Sequence, residues 1–154
     1  MAKQVLTNVA VTFGTANTDI TSYVASCTLN LTAAEVTTTS FGSSGAVTRI
    51  QGLKDHSVTL ELHQDYPTIE KLFYDAFNNG TAVPMTVKPN GTAAASSTNP
   101  QYAFNVLPVA WTPVAGAVGD LATASMTYPI DWSCNKDWFR RLNNSQPLPA
   151  EVTE

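Results

Sequence analysis

Few side chains in this sequence could do chemistry: two histidines, His56 and His63, two cysteines, Cys27 and Cys134, and a scatter of carboxylates. Glu61 and His63 stand two apart, so on a strand they share one face and could touch. Polar residues on the wet side of a strand are ordinarily just solvated. Asp55, beside His56, sits in a Lys-Asp turn, where carboxylates usually bond their own backbone. Gly42-Ser43-Ser44-Gly45 lacks the Gly-x-Ser-x-Gly spacing of a nucleophile elbow, and there is no Gly-x-x-x-x-Gly-Lys phosphate loop. The two histidines lack the i, i+4 spacing of a helical zinc pair, and the cysteines form no Cys-x-x-Cys, so both thiols are read as reduced. The expectation is a protein that is not an enzyme and carries no metal or cofactor.

The elements that hold these residues are mostly strands. In SCTLNLT, Cys27, Leu29 and Leu31 oppose Ser26, Thr28, Asn30 and Thr32; in SVTLELH, Val58, Leu60 and Leu62 oppose Ser57, Thr59, Glu61 and His63. That period of two predicts strands with one buried face. Val9 to Phe13, Val83 to Val87, Tyr102 to Val114 and Leu121 to Tyr128 are further candidates, separated by turns such as Lys88-Pro89-Asn90-Gly91. One segment differs. In YPTIEKLFYDAFNNG, Ile69, Leu72, Phe73, Ala76 and Phe77 recur at helical spacing, with Pro67 at the start and Asn79-Gly80 at the stop, which predicts one amphipathic helix over about 67–78. The expected fold class is mainly β, a two-sheet sandwich or barrel-like domain with one flanking helix.

Composition narrows the role. The chain has 154 residues, enough for one core without disulfide staples. Only 13% of its residues are charged, about half the usual share, and Thr, Ser and Asn take their place. A net charge of −4 argues against gripping nucleic acid through its phosphates. No basic start with an apolar run opens the chain and no stretch is apolar enough to span a bilayer, so a protein made and used in a cytoplasm, with no membrane segment, is expected. Sequons at Asn30, Asn79, Asn90 and Asn143 are then consequences of an Asn- and Thr-rich composition.

Residues 34–55, AEVTTTSFGSSGAVTRIQGLKD, carry no charge between Glu35 and Arg49 and are too polar and too rich in glycine for core. They read as a long loop, a kind of segment that is usually functional or disordered. Their polarity keeps them soluble, and their lack of charge lets them be buried later without stranding an ion.

From Thr18 to Tyr66 a set of short motifs falls in order: Asp19, Tyr23 and Val24 before a strand; Thr38, Phe41 and Gly42 ending a Thr-rich run; Gly52, Leu53, Lys54 and Asp55 opening the next strand; Asp65 and Tyr66 closing it. A second block joins Asn99, Pro100 and Tyr102 to TPVAGAVGDLATASMTYPI at 112–130, with a turn at Ala115 to Asp120. Together these blocks resemble the major tail tube proteins of long-tailed, siphovirus-type bacteriophages, across most of residues 9–130. The departure is a C-terminal extension, DWSCNKDWFRRLNNSQPLPAEVTE, at 131–154.

That resemblance implies a structural virion protein: a tail-tube β-sandwich over 1–130 with a stacking loop at about 34–55, six copies to a ring, and rings stacked into a hollow tube for genome delivery. It equally covers plain tubes, inner tubes of contractile tails and tail-end rings. It implies assembly in the host bacterial cytoplasm, residence in the virion tail, tape-measure and tail-end proteins as partners, and DNA passing through the lumen without specific binding. Glu35, Phe41 and Arg49 are then candidate contacts between rings, with Arg49 seeking an acid such as Glu35 on a neighbouring copy. Trp132, Trp138, Phe139, Arg140 and Arg141 in the extension are candidates for docking on a neighbour, being types enriched at protein interfaces. The two tryptophans could instead cover their own core. Glu61 and Asp65, read as lying on the second strand, are the candidates to face the lumen. Two rival readings stay open: a carbohydrate- or receptor-binding sandwich using Trp111, Trp132 and Tyr102, and an enzyme using His63 and Glu61.

Overall fold

Alternating apolar and hydroxyl-bearing residues bury one face of each strand, and two such sheets close over a common core. The computed structural model describes Lys3, residues 5–131 and the backbone of Arg140–Leu142. The elements run β1 (Ala10–Phe13), β2 (Thr18–Asp19), β3 (Val24–Thr37), β4 (Arg49–His63), α1 (Thr68–Asn79), β5 (Val83–Lys88), β6 (Gln101–Val106), β7 (Thr123–Pro129) and β8 (Arg140–Leu142). One sheet has the order β2-β1-β5-β6-β8 and the other β3-β4-β7, with every pairing antiparallel. The described residues are thus mainly β, with two antiparallel sheets and one α-helix.

Val58, Leu60 and Leu62 from β4, Ala124, Met126 and Tyr128 from β7, and Val11, Phe13, Met85, Phe104 and Val106 from the larger sheet fill the space between the layers. The helix lies over one end of this core. Phe73 stacks on Phe13 at 4.4 Å between ring centres and on Trp111 at 5.3 Å. Gly80 stops the helix in a left-handed conformation (φ 65°), its N–H bonding the Ala76 carbonyl. The observed helix begins at Thr68, one residue later than predicted, with Pro67 as its cap. Phe77, expected on the buried stripe, is 45% exposed. It lies about 80° around the helix from Ile69, at the stripe's margin.

Two expectations differ from the structure, one for a strand and one for a loop. The expected strand Tyr102 to Val114 ends at Val106. Pro108 and Pro113 cannot donate to a ladder, and residues 107–122 instead cross the helix end as an irregular cover. That cover is pinned at several points: the Tyr128 hydroxyl donates to the Ala110 carbonyl at 2.8 Å, the Gln64 amide donates to the Thr112 carbonyl at 2.6 Å, and the Tyr66 hydroxyl donates to the Pro113 carbonyl. The second difference is the stretch 34–55. Residues 34–37 extend β3 and residues 49–55 begin β4, leaving only 38–48 outside the strands. The stretch is a hairpin arm rather than a loop.

A candidate subunit interface

The arm has a rigid stem. Beyond Leu31 and His56, β3 and β4 continue pairing through Ala33↔Lys54, Glu35↔Gln51, Val36↔Ile50 and Thr37↔Arg49. From Ala34 to Asp55 no residue is buried. The register slips once: between Ala33 and Glu35 only Ala34 intervenes, whereas Gly52 and Leu53 both lie between Lys54 and Gln51. Such a bulge bends the ribbon and resets which side chains share a face. Beyond it, Val36 opposes Ile50 on one face, while Glu35, Thr37, Arg49 and Gln51 share the other. A Cβ on Gly52 would approach Val36 Cγ2 to 2.8 Å, so the bulge needs a residue without a side chain there.

The tip is tied by its own polar groups. Thr38 N–H donates to the Thr48 carbonyl at 2.8 Å, Thr48 N–H to Thr39 Oγ1 at 3.1 Å, and Ser40 N–H to Ser43 Oγ at 3.1 Å. Ser44 and Gly45 turn the chain through positive φ (50° and 81°). This scaffold holds Phe41 fully in solvent, and Val47, Ile50, Leu53 and Val36 are exposed beside it on the arm. Apolar surface grouped at the end of an ordered projection marks an interaction site more strongly than scattered exposed side chains do.

Arg49 and Glu35, expected to meet across copies, meet within this chain: Arg49 Nε lies 2.6 Å from Glu35 Oε1. Both side chains are more than half exposed, so the pair braces the arm by roughly 0.2–1 kcal/mol.

The body carries a second surface. On the solvent side of the β3-β4-β7 sheet, the register sets Ser26, Glu61 and Ser125 in one row, Thr28, Thr59 and Thr127 in the next, and Asn30, Ser57 and Pro129 in a third. Thr59 Oγ1 and Thr127 Oγ1 are hydrogen-bonded at 3.1 Å. Asp55 follows opposite Thr32, and none of these residues is a lysine or arginine. Glu61 is exposed on this face. Asp65 is not on the strand: β4 ends at His63, and Asp65 lies at the entry to α1, where its carbonyl accepts from Ile69 N–H and its carboxylate, hydrogen-bonded to Tyr23, raises the Tyr23 phenol above its ordinary pKa. Within the described residues, no further strand lies along the outer sides of β3 and β7, except that the end of β7 is bridged to the end of β6, where Leu107 N–H donates to the Pro129 carbonyl and Ile130 pairs with Val106.

The other candidates are distributed as follows. Trp132, Trp138 and Phe139 lie outside the described residues. Arg140 and Arg141 fall on β8, whose backbone pairs with Ala103 and Tyr102 of β6. Trp111, offered as an exposed sugar platform, is partly buried against the core, with one ring face stacked on Phe73 and its Nε1 buried. Cys27 is half-buried against the core, and burial pushes its thiol up to about 11. Among the described residues no three His, Cys, Asp or Glu side chains gather as metal ligands, and no helix is long and apolar enough to cross a membrane. Sequence reasoning missed β2, β8 and the cleft beside the start of β3, because segments two or three residues long carry no readable period.

No protein-family model and no curated protein matches the sequence. Among solved structures, a chain from the virion of a native gene transfer agent particle has a similar fold, with a TM-score of 0.65 at 13% identity over 84% of this chain and 95% of that one. At that identity the likeness is one of fold.

Proposed function

We propose that the chain is a structural virion protein that forms hexameric rings, which stack through the hairpin arms into the hollow tail tube of a phage-like particle. The observation that carries this reading is the three-stranded sheet: among the described residues its two outer strands, β3 and β7, leave their outer edges without a further strand apart from a bridge at the end of β7, where Ile130 pairs with Val106, and they are different strands. Two unlike edges on one protomer allow head-to-tail addition, which closes into a ring when the rotation permits. A sheet with such edges is an aggregation hazard in a monomer. In a ring it is the joint.

The remaining surfaces take their places in that scheme. The hydroxyl-rich face with Glu61 and Asp55 and no cation becomes the lumen wall, over which a duplex slides because nothing pairs with its phosphates. The arm, standing clear of the core, reaches the next ring. The fold shared with a gene transfer agent virion chain is consistent with a particle component. Tape-measure and tail-end proteins are the expected partners, and the tail is the expected location. The test is electron microscopy with analytical ultracentrifugation of the purified full chain across concentration. Rings or tubes with a central channel are the expected result; a monomer at every concentration and salt would sink the proposal.

A further inference from the structure

At the end of β3 opposite the tip lies a cleft of about 750 Å³, walled by Leu6 and Val9 on one side and by Thr21, Ser22, Val24 and Ser26 on the other. We propose that this cleft is the socket for the Phe41 tip of a second copy's arm, an inference that rests on the stacked-tube reading. Knob and socket sit at the two ends of one 14-residue strand, a span of at most about 46 Å at roughly 3.3 Å per residue. Even bent at its bulges, one continuous strand carries the tip away from the cleft, so the tip does not reach its own cleft. A copy shifted along the strand by about that distance brings one tip to the next cleft, and the contact repeats without limit because its two sides are unlike.

Charge permits the fit. No charged residue lies between Val36 and Thr48. The cleft contains one acid, Asp19, whose carboxylate accepts the Thr21 N–H at 2.9 Å and is held below its ordinary pKa by hydrogen bonds from Thr21. An uncharged tip therefore closes the cleft without stranding an ion. Area also points to a copy within an array. A phenylalanine buries roughly 150–250 Å², far less than the approximately 800 Å² per partner that a stable pair needs. One tip in one cleft is weak, whereas a ring engaging all its tips at once gains the multivalent advantage. The geometry thus selects ring-on-ring contact over a free dimer.

The experiment places a benzophenone-bearing phenylalanine analogue at position 41 of the full chain, irradiates assembled material and maps the adducts by mass spectrometry. Adducts joining position 41 to residues 6–9 or 21–26 of a second copy are expected. Assembled tubes with adducts elsewhere would overturn the socket and leave the tube standing; failure of the unaltered chain to assemble at all would overturn both. In parallel, Phe41→Ser should leave the melting temperature unchanged, since Phe41 is fully exposed among the described residues, and raise the concentration needed for stacking by about tenfold or more. Tubes of ordinary length from Phe41→Ser at the usual concentration would also overturn the socket.

Discussion

Replacing Ala33–Lys54 with Asn-Gly should separate folding from assembly in a single protein. Thr32 and Asp55 are direct partners in the ladder, so a two-residue turn can join them without changing register. The excised segment contains no core residue. What is lost is four ladder pairs and the Glu35–Arg49 bridge. Cross-strand pairs contribute roughly 0.2–1 kcal/mol each, and the exposed bridge adds a similar amount. Against this, the removed residues no longer have to be ordered, a cost of about 1–2 kcal/mol each that their backbone hydrogen bonds had been offsetting. The net change should fall within about 2 kcal/mol, a shift of roughly 4–8 °C in melting temperature for a domain of this size. Circular dichroism and thermal melting report the fold; sedimentation and electron microscopy report assembly. A folded protein that no longer stacks is expected. A product without cooperative melting would show that the arm supports the core, and tubes of normal length would show that it has no part in assembly.

Three further outcomes follow from particular groups. Tyr128→Phe should lower stability by about 1–2 kcal/mol in a thermal melt, because the Ala110 carbonyl loses its hydroxyl donor where the irregular cover crosses the core. Cys27, whose thiol is raised to about 11, stabilises the fold in its neutral form. That contribution is complete below the unfolded thiol's pKa near 8.5 and is lost as pH rises through 11. Cys27→Ala should therefore flatten the alkaline limb of stability against pH, measured by denaturant melts from pH 8 to 11. Glu61→Lys, which places a cation in the Ser26 and Ser125 row, should leave the melt within about 0.5 kcal/mol and make assembled tubes retain duplex DNA in a salt-sensitive way. A filter-binding titration that finds no retention would count against the proposed place of Glu61 on a lumen wall.

Legibility in the sequence followed burial. Where one face of a strand packs on the core, as at Val58, Leu60 and Leu62, alternation is imposed by the solvent boundary and can be read directly. The helix was readable for the same reason, up to Phe77, where the boundary is too oblique to decide. In the arm both faces meet water. Leu31 is 53% exposed despite sitting in phase with Cys27 and Leu29, and beyond it no boundary enforces a period, so an ordered ribbon looks like a loop. The bulge compounds this by shifting the phase of β4 at Gly52-Leu53. Arg49 and Glu35 are the charges that bound the stretch, but their partnership within the chain, rather than across copies, depends on that shift, which residue spacing does not reveal. The long irregular cover from 107 to 122 was hidden by its apolar residues, which imitate a strand where the prolines forbid one.

The bulge also governs how such an arm can change length. Adding one residue to each strand keeps every pair opposed but points the tip to the other side, because side chains alternate along a ribbon. Adding two to each strand restores the original facing and lengthens the arm by about 6.6 Å. A lone insertion needs a second bulge to absorb it. Related chains that keep the bulge with Phe41 pointing the same way should therefore differ in arm length by whole increments of four residues, giving the spacing between joined copies a discrete ladder of values rather than a continuous range.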